Sequence, residues 1–152
     1  MEYSISTQSI LPRQLAAFHA VMPMRDVPSR FAELLGKVYA TARASHLTLD
    51  GQNVFIYRDR ADGNADVDFG VGVSAYFPPI GEIACVDTPS GEVATTTHWG
   101  DYGQLGAAHS AIIDWCQSAG KRLAGPRWEV YGHWHDDPAQ VRTDIYYLLK
   151  TS

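Results

Sequence analysis

Apolar and polar residues alternate along Tyr3–Ile10 and again along Ala16–Met22, with Leu11-Pro12-Arg13 between them, so a period of two predicts two strands and a turn. The period then changes. Asp26 suits an N-cap and Pro28 a first helical turn, and Phe31, Leu34, Leu35, Val38 and Ala42 recur at helical spacing. They predict an amphipathic helix over 28–45 whose apolar stripe packs onto a sheet. After Asp50-Gly51 the spacing returns to strands, predicted at Asn53–Asp59 and Val67–Phe77 around a polar turn, until Pro78-Pro79 breaks the chain.

From Glu82 the succession starts again. Strands are predicted at Ile83–Asp87 and Val93–His98, around Pro89-Ser90-Gly91. A helix predicted near Tyr102–Ser118 carries Leu105, Ala108, Ile112, Cys116 and Ala119 on one face and stops near Gly120. Strands predicted at Arg127–His135 and Thr143–Lys150 follow, with Asp136-Asp137-Pro138 between them. The two halves match in residues as well as in order. Gly51 and Tyr57 recur as Gly125 and Tyr131 at an offset of 74, and Asp68-Phe69 recurs as Asp144-Ile145 at an offset of 76. A repeat of this length implies a pseudo-twofold duplication rather than a solenoid. The expected fold class is α+β: two β-α-β-β modules, about 1–79 and 80–152, joined into one curved antiparallel sheet. Two helices would cover one face and leave a groove on the other.

A chain of 152 residues suffices for one domain with a real core. Its 12 basic and 17 acidic residues give a net charge of −5, with no basic cluster to hold a phosphate backbone. No run approaches the roughly 18 apolar residues of a membrane span, and the N-terminus lacks the basic-then-apolar layout of a secretory signal. Cys85 and Cys116 have neither zinc-like nor redox-like spacing and read as buried thiols of a cytoplasmic protein.

An ordered set of residues carries a family signature. It runs from Pro89-Ser90-Gly91 through Ala94–Tyr102 and Leu105 to Trp115, Gly125, Glu129-Val130-Tyr131 and Thr143–Tyr146. In the first half it includes Gly51 and Phe55–Asp59. This set resembles the GyrI-like small-molecule-binding domain, also found as the effector-binding part of AraC- and MerR-type transcription regulators. The resemblance covers nearly the whole chain, read as one domain over 1–152. It implies a duplicated fold with a central groove for a hydrophobic or cationic ligand. Family members occur as regulator domains, as free-standing proteins and as hydrolases of cyclopropane-bearing toxins. The N-terminus begins directly with a predicted strand and leaves no residues for a helix-turn-helix, so a free-standing protein or an excised domain is expected, the initiator Met favouring the former, without direct nucleic-acid binding. Asp101 stands where the wider family often has proline, adding a charge near one end of the expected groove.

Alternation over Arg127–His135 predicts Trp128, Val130 and Trp134 on the apolar face beneath the helices, and Glu129, Tyr131, His133 and His135 toward the groove. If Phe69, Val71 and Val73 point to the helices, Gly70 and Gly72 open onto the groove, and the repeat places Tyr146 there too. Phe55, Tyr57, Trp99 and Tyr102 complete the expected lining. A carboxylate on an aromatic floor is costly unless something compensates it, which a cationic ligand does. The plainer alternative pairs Glu129 with Arg127, Arg142 or Lys121 at a sheet edge and leaves Tyr57 and Tyr131 as cross-strand packing.

Chemistry is the other possibility. His133 and His135 share a strand face but lack clustered partners, so no metal is expected. There is no Gly-x-Ser-x-Gly elbow. Gly70-Val71-Gly72 has no following Lys and is not a phosphate loop. Cofactor-free acid/base hydrolysis by Glu129, with Tyr131 positioning the reacting group, uses the same residues as binding. The leading expectation is a drug- or toxin-sequestering or effector-sensing domain for an aromatic, hydrophobic or cationic small molecule. The alternatives are a metal-independent hydrolase of strained-ring toxins and a protein inhibitor of the gyrase-inhibitor type.

Overall fold

The structure is a computed structural model and describes residues 2–133 and 135–151. In chain order the elements of the first part are β1 (Ser6–Ile10), β2 (Gln14–Met22), α1 (Val27–Ala44), β3 (Leu49–Asp59) and β4 (Ala65–Val73). They are followed by β5 (Ile83–Asp87), β6 (Gly91–Trp99), α2 (Leu105–Ala119), β7 (Leu123–Tyr131) and β8 (Arg142–Leu149). Short 3-10 turns precede both helices and β8. The class is α+β, with eight antiparallel strands and two helices, as the hydrophobic pattern predicts. Among the described residues no helix is long and apolar enough to cross a membrane.

Contacts divide the chain into two compact units, and each holds four strands and one helix. The unit Pro12–Thr88 has the strand order β3-β4-β2-β5. Phe18, Phe69 and Phe55 lie opposite one another in adjacent strands, so they share a face. That face carries α1, whose Leu34, Leu35, Val38 and Ala42 are buried against it. Phe31, expected in the buried stripe, is instead 40% exposed and lies at the stripe's margin, its ring 6.0 Å from that of Phe55. Asp26 precedes the helix without capping it through its side chain; the Ser29 hydroxyl donates to the Asp26 carbonyl instead.

The second unit, Met1–Leu11 with Pro89–Ser152, has the order β1-β6-β8-β7. Here α2 packs on β6 and β8, and Ala108, Ile112 and Cys116 close over Ala94, Ile145, Tyr147 and Leu149. The units follow hydrogen bonding rather than the midpoint of the sequence: β1 pairs with β6, and β5 pairs with β2.

The duplication is visible in register. Phe55 pairs with Phe69, and at the repeat offsets Glu129 pairs with Ile145. The ladder slips between Leu49 and Asn53 in β3 and between Leu123 and Arg127 in β7, which are equivalent places. Gly51 (φ 78) and Gly125 (φ 122) occupy the two bulges, where a side chain is strained whatever the space.

Three strand ends differ from the pattern. β4 stops at Val73, short of Phe77, and the Ser74 amide makes the next bond toward the β3 side, to the Thr48 carbonyl. β7 begins earlier than the alternation predicts, on the far side of its bulge, and ends at Tyr131. His133 and His135 are therefore exposed beyond the strand rather than on its face, and the expectation for Trp134 falls outside the described residues.

Candidate functional site

The site is built on the α2 face of β7 and β8. Ile145 lies in the core beneath α2, and Glu129 is its direct partner across the ladder, so the carboxylate also sits beneath the helix. Trp128 pairs instead with Tyr146 on the opposite face, the two rings stacked 5.4 Å apart at 13°. This reverses the predicted facing of Glu129, Tyr131 and Trp128. The prediction took the more apolar alternate set to be the helix side. Trp128 finds its burial on the other side, against Tyr146, while Glu129 is accommodated under α2 by hydrogen bonds.

Those bonds define the site. Glu129 is 6% exposed. One carboxylate oxygen accepts from the Tyr131 hydroxyl, and the other lies 2.7 Å from His109 Nε2, on α2. His109 Nδ1 is 2.6 Å from the Tyr147 hydroxyl. A carboxylate only accepts, so Nε2 carries the proton, and in a neutral ring Nδ1 accepts from Tyr147. The Tyr102 ring meets Tyr131 edge-on at 5.8 Å and 88°. Tyr102 opens the 3-10 turn Tyr102–Gln104 ahead of α2 and is 40% exposed; partial burial pushes its phenol pKa up, so the ring stays neutral. The turn is fixed from below. His98 is fully buried, with Nδ1 2.8 Å from the Tyr3 hydroxyl and Nε2 3.0 Å from the Asp101 carbonyl. Asp101, expected to charge one end of a groove, caps this turn by accepting from the Gly103 amide.

Trp99 and Tyr146, of the same unit, do not join this cluster. They line a depression on the opposite face of the same sheet. Phe55 lies on the α1 face of its own unit, next to Phe31, and Tyr57 lies two residues further along the same strand face. Gly70 and Gly72 face away from α1 as predicted, but they open no space. A Cβ at Gly70 meets Leu15 at 3.0 Å, and one at Gly72 falls 2.1 Å from the Asp50 carboxylate, which Arg13 holds in place. Within each unit the predicted lining is thus divided between the helix face and the face turned away from it.

Two residues of the cluster escaped the sequence reading, His109 and Tyr147. His109 stands four residues after Leu105 and three before Ile112, inside the apolar stripe of α2. A polar residue in that stripe was the available signal. Among the described residues no group of three or more His, Cys, Asp or Glu is arranged to hold a metal.

A duplicated β-α-β-β register with a Glu-x-Tyr pair under the second helix describes a known fold, and the model for the GyrI-like small-molecule-binding domain matches residues 1–150. The chain belongs to this family. Among solved structures, this GyrI-like domain is similar to the crystal structure of the EcmrR C-terminal domain, with 21% identity, a TM-score of 0.83 and full coverage of both chains. It also matches EcmrR in a cryo-EM DNA complex at 20% identity and a TM-score of 0.81, covering 99% of this chain and 58% of that one. SAV2435, bound to tetraphenylphosphonium, matches at 14% identity and a TM-score of 0.69, covering 99% and 94%. No curated protein matches the sequence.

Proposed function

We propose that this GyrI-like domain binds an aromatic, hydrophobic cation at Glu129, as a drug- or toxin-sequestering or effector-sensing module of the cytoplasm that does not itself contact nucleic acid. The observation that carries the reading is the buried carboxylate held between the Tyr131 phenol and the His109 imidazole. A desolvated carboxylate is a strong partner for a cation that sheds its own water. The ring of Tyr131, with Tyr102 against it, offers cation–π contacts worth about 0.5–2 kcal/mol each. Phe55 and Tyr57 hold the places in their own unit that Glu129 and Tyr131 hold in theirs, and are proposed as ligand-binding residues of that unit. The tetraphenylphosphonium bound by SAV2435 is a ligand of the same class.

The test is a thermal-shift titration with tetraphenylphosphonium and other lipophilic cations. A ligand at a hundred times its Kd stabilises the fold by about 2.7 kcal/mol, a shift that saturates with concentration. Absence of a saturable shift across the panel contradicts the reading.

The His109–Glu129 contact favours a second reading, cofactor-free hydrolysis. An imidazole within hydrogen-bond reach of a carboxylate, oriented by Tyr147, is an acid/base pair. Incubation with a cyclopropane-bearing electrophile, without added metal, separates the two readings. Hydrolysis gives a water adduct by mass spectrometry in amounts exceeding the protein, whereas sequestration returns the compound unchanged.

A further inference from the structure

The face of the second unit that points away from α2 carries a depression of about 380 Å³, on the other side of the sheet from Glu129. Its floor is a row of direct ladder partners, Ser6 on β1, Thr95 on β6 and Tyr146 on β8. Beside that row stands Asp144, flanked by Arg142 and Trp99. Two polar groups in it have unspent bonding capacity. Thr95 is 7% exposed, yet among the described residues its hydroxyl makes no hydrogen bond, although it lines the depression. Asp144 accepts from the Thr97 hydroxyl at 2.7 Å and from Arg142 Nε at 3.0 Å through the same oxygen, Oδ1. Its Oδ2 has no hydrogen bond among the described residues.

The aromatic groups are held in place. Tyr146 is stacked on Trp128, and the Arg142 guanidinium sits 5.5 Å over the half-exposed Trp99 ring. Arg142 is thus already engaged by a carboxylate and an indole, and Glu2 adds a negative charge to the rim, so an anion has no partner here. A purely apolar ligand fares no better, because it would cover hydroxyls without bonding them. A ring with an apolar C–H face and an edge of hydroxyls fits both sets of groups: the aromatic rings take the face, and Asp144 Oδ2 and Thr95 Oγ1 take adjacent hydroxyls.

We propose that this depression is a second binding site, independent of Glu129, for a pyranose ring. The two sites sit on opposite faces of one sheet, so a glycoside and a lipophilic cation bind without competing.

The test is an NMR titration of the intact chain with methyl α-D-glucopyranoside, as a free ring, and with maltose, as a ring within a chain. Saturable shifts at the amides of Thr95, Asp144 and Tyr146 are expected. Thr95→Val and Asp144→Asn should each weaken binding by about fivefold, the range of one hydrogen bond, while Thr95→Ser keeps it. Melting curves of the variants guard against loss of the fold, and Asp144→Asn carries the test if Thr95→Val does not fold. Saturating tetraphenylphosphonium should leave the glycoside affinity unchanged. Shifts that fail to saturate with both glycosides, equal affinity in the Asp144→Asn protein, or competition by the cation would each overturn the proposal.

Discussion

A carboxylate beneath a helix persists only where its lone pairs are met, and at Glu129 a phenol and an imidazole meet them. Thr143, two residues before Ile145 on the same face of β8, is the opposite case: fully buried, with a hydroxyl that finds no partner among the described residues. Leaving a hydroxyl buried and unbonded costs about 1–3 kcal/mol, whereas an apolar group of the same shape carries no such cost. Thr143→Val is therefore expected to hold or raise stability, by about 1 kcal/mol, in urea unfolding. A loss of that size would mean that the hydroxyl has a partner. At this scale the sequence was legible where one residue type has one use, as with the Glu129–Tyr131 pair. It was not legible where the facing of a strand had to be inferred from apolarity alone. Trp128 and Glu129 exchange sides because a tryptophan can be buried on either face, and a glutamate can be buried wherever donors such as His109 reach it.

Elements were read more securely than facings, since period and turn residues determine them locally. Both helices fall within a few residues of their predicted ends, and β5 has the predicted bounds. The bulges at Gly51 and Gly125 were visible only as two matched glycines; that they shift the register needed the ladder itself. Among the described residues, and apart from its two chain neighbours, nothing lies within 4 Å of the space that a Cβ would occupy at Gly125, so the cost of Gly125→Ala is the backbone's. At φ 122 it should destabilise by about 1–3 kcal/mol in chemical denaturation while leaving the circular dichroism spectrum unchanged. A neutral outcome would mean that the bulge relaxes.

The start of β3 also contributes to the pH dependence of its unit. Burial works to raise the Asp50 pKa, but hydrogen bonds from the Gln52 amide and the Arg13 guanidinium outweigh it and hold the carboxyl below its ordinary value. A carboxyl with a lowered pKa in the folded state adds stability that is fully present above its unfolded pKa, near pH 4, and is lost as pH falls through the lower folded value. Asp50→Asn should flatten the acid limb of the stability profile. An unchanged limb would assign it to other carboxylates.

At the scale of the whole molecule, the duplication was the strongest message in the sequence, because two copies of one register leave matched residues at nearly constant offset. Alternation within one strand was less complete a guide: it turned Gly70 and Gly72 away from α1 correctly but read them as open floor, when Leu15 and Asp50 fill that space. The Trp99–Tyr146 depression and the Glu129 cluster were read as one groove, although a single sheet separates them. The proposed binding of a cation therefore rests on Glu129. The direct measurement is calorimetric titration of the wild-type and Glu129→Gln proteins with tetraphenylphosphonium and with a neutral aromatic of matched size. Removing a desolvated charge partner should weaken the cation by about tenfold or more and leave the neutral compound within about twofold. Equal losses for both compounds, or none for either, would contradict the role assigned to Glu129.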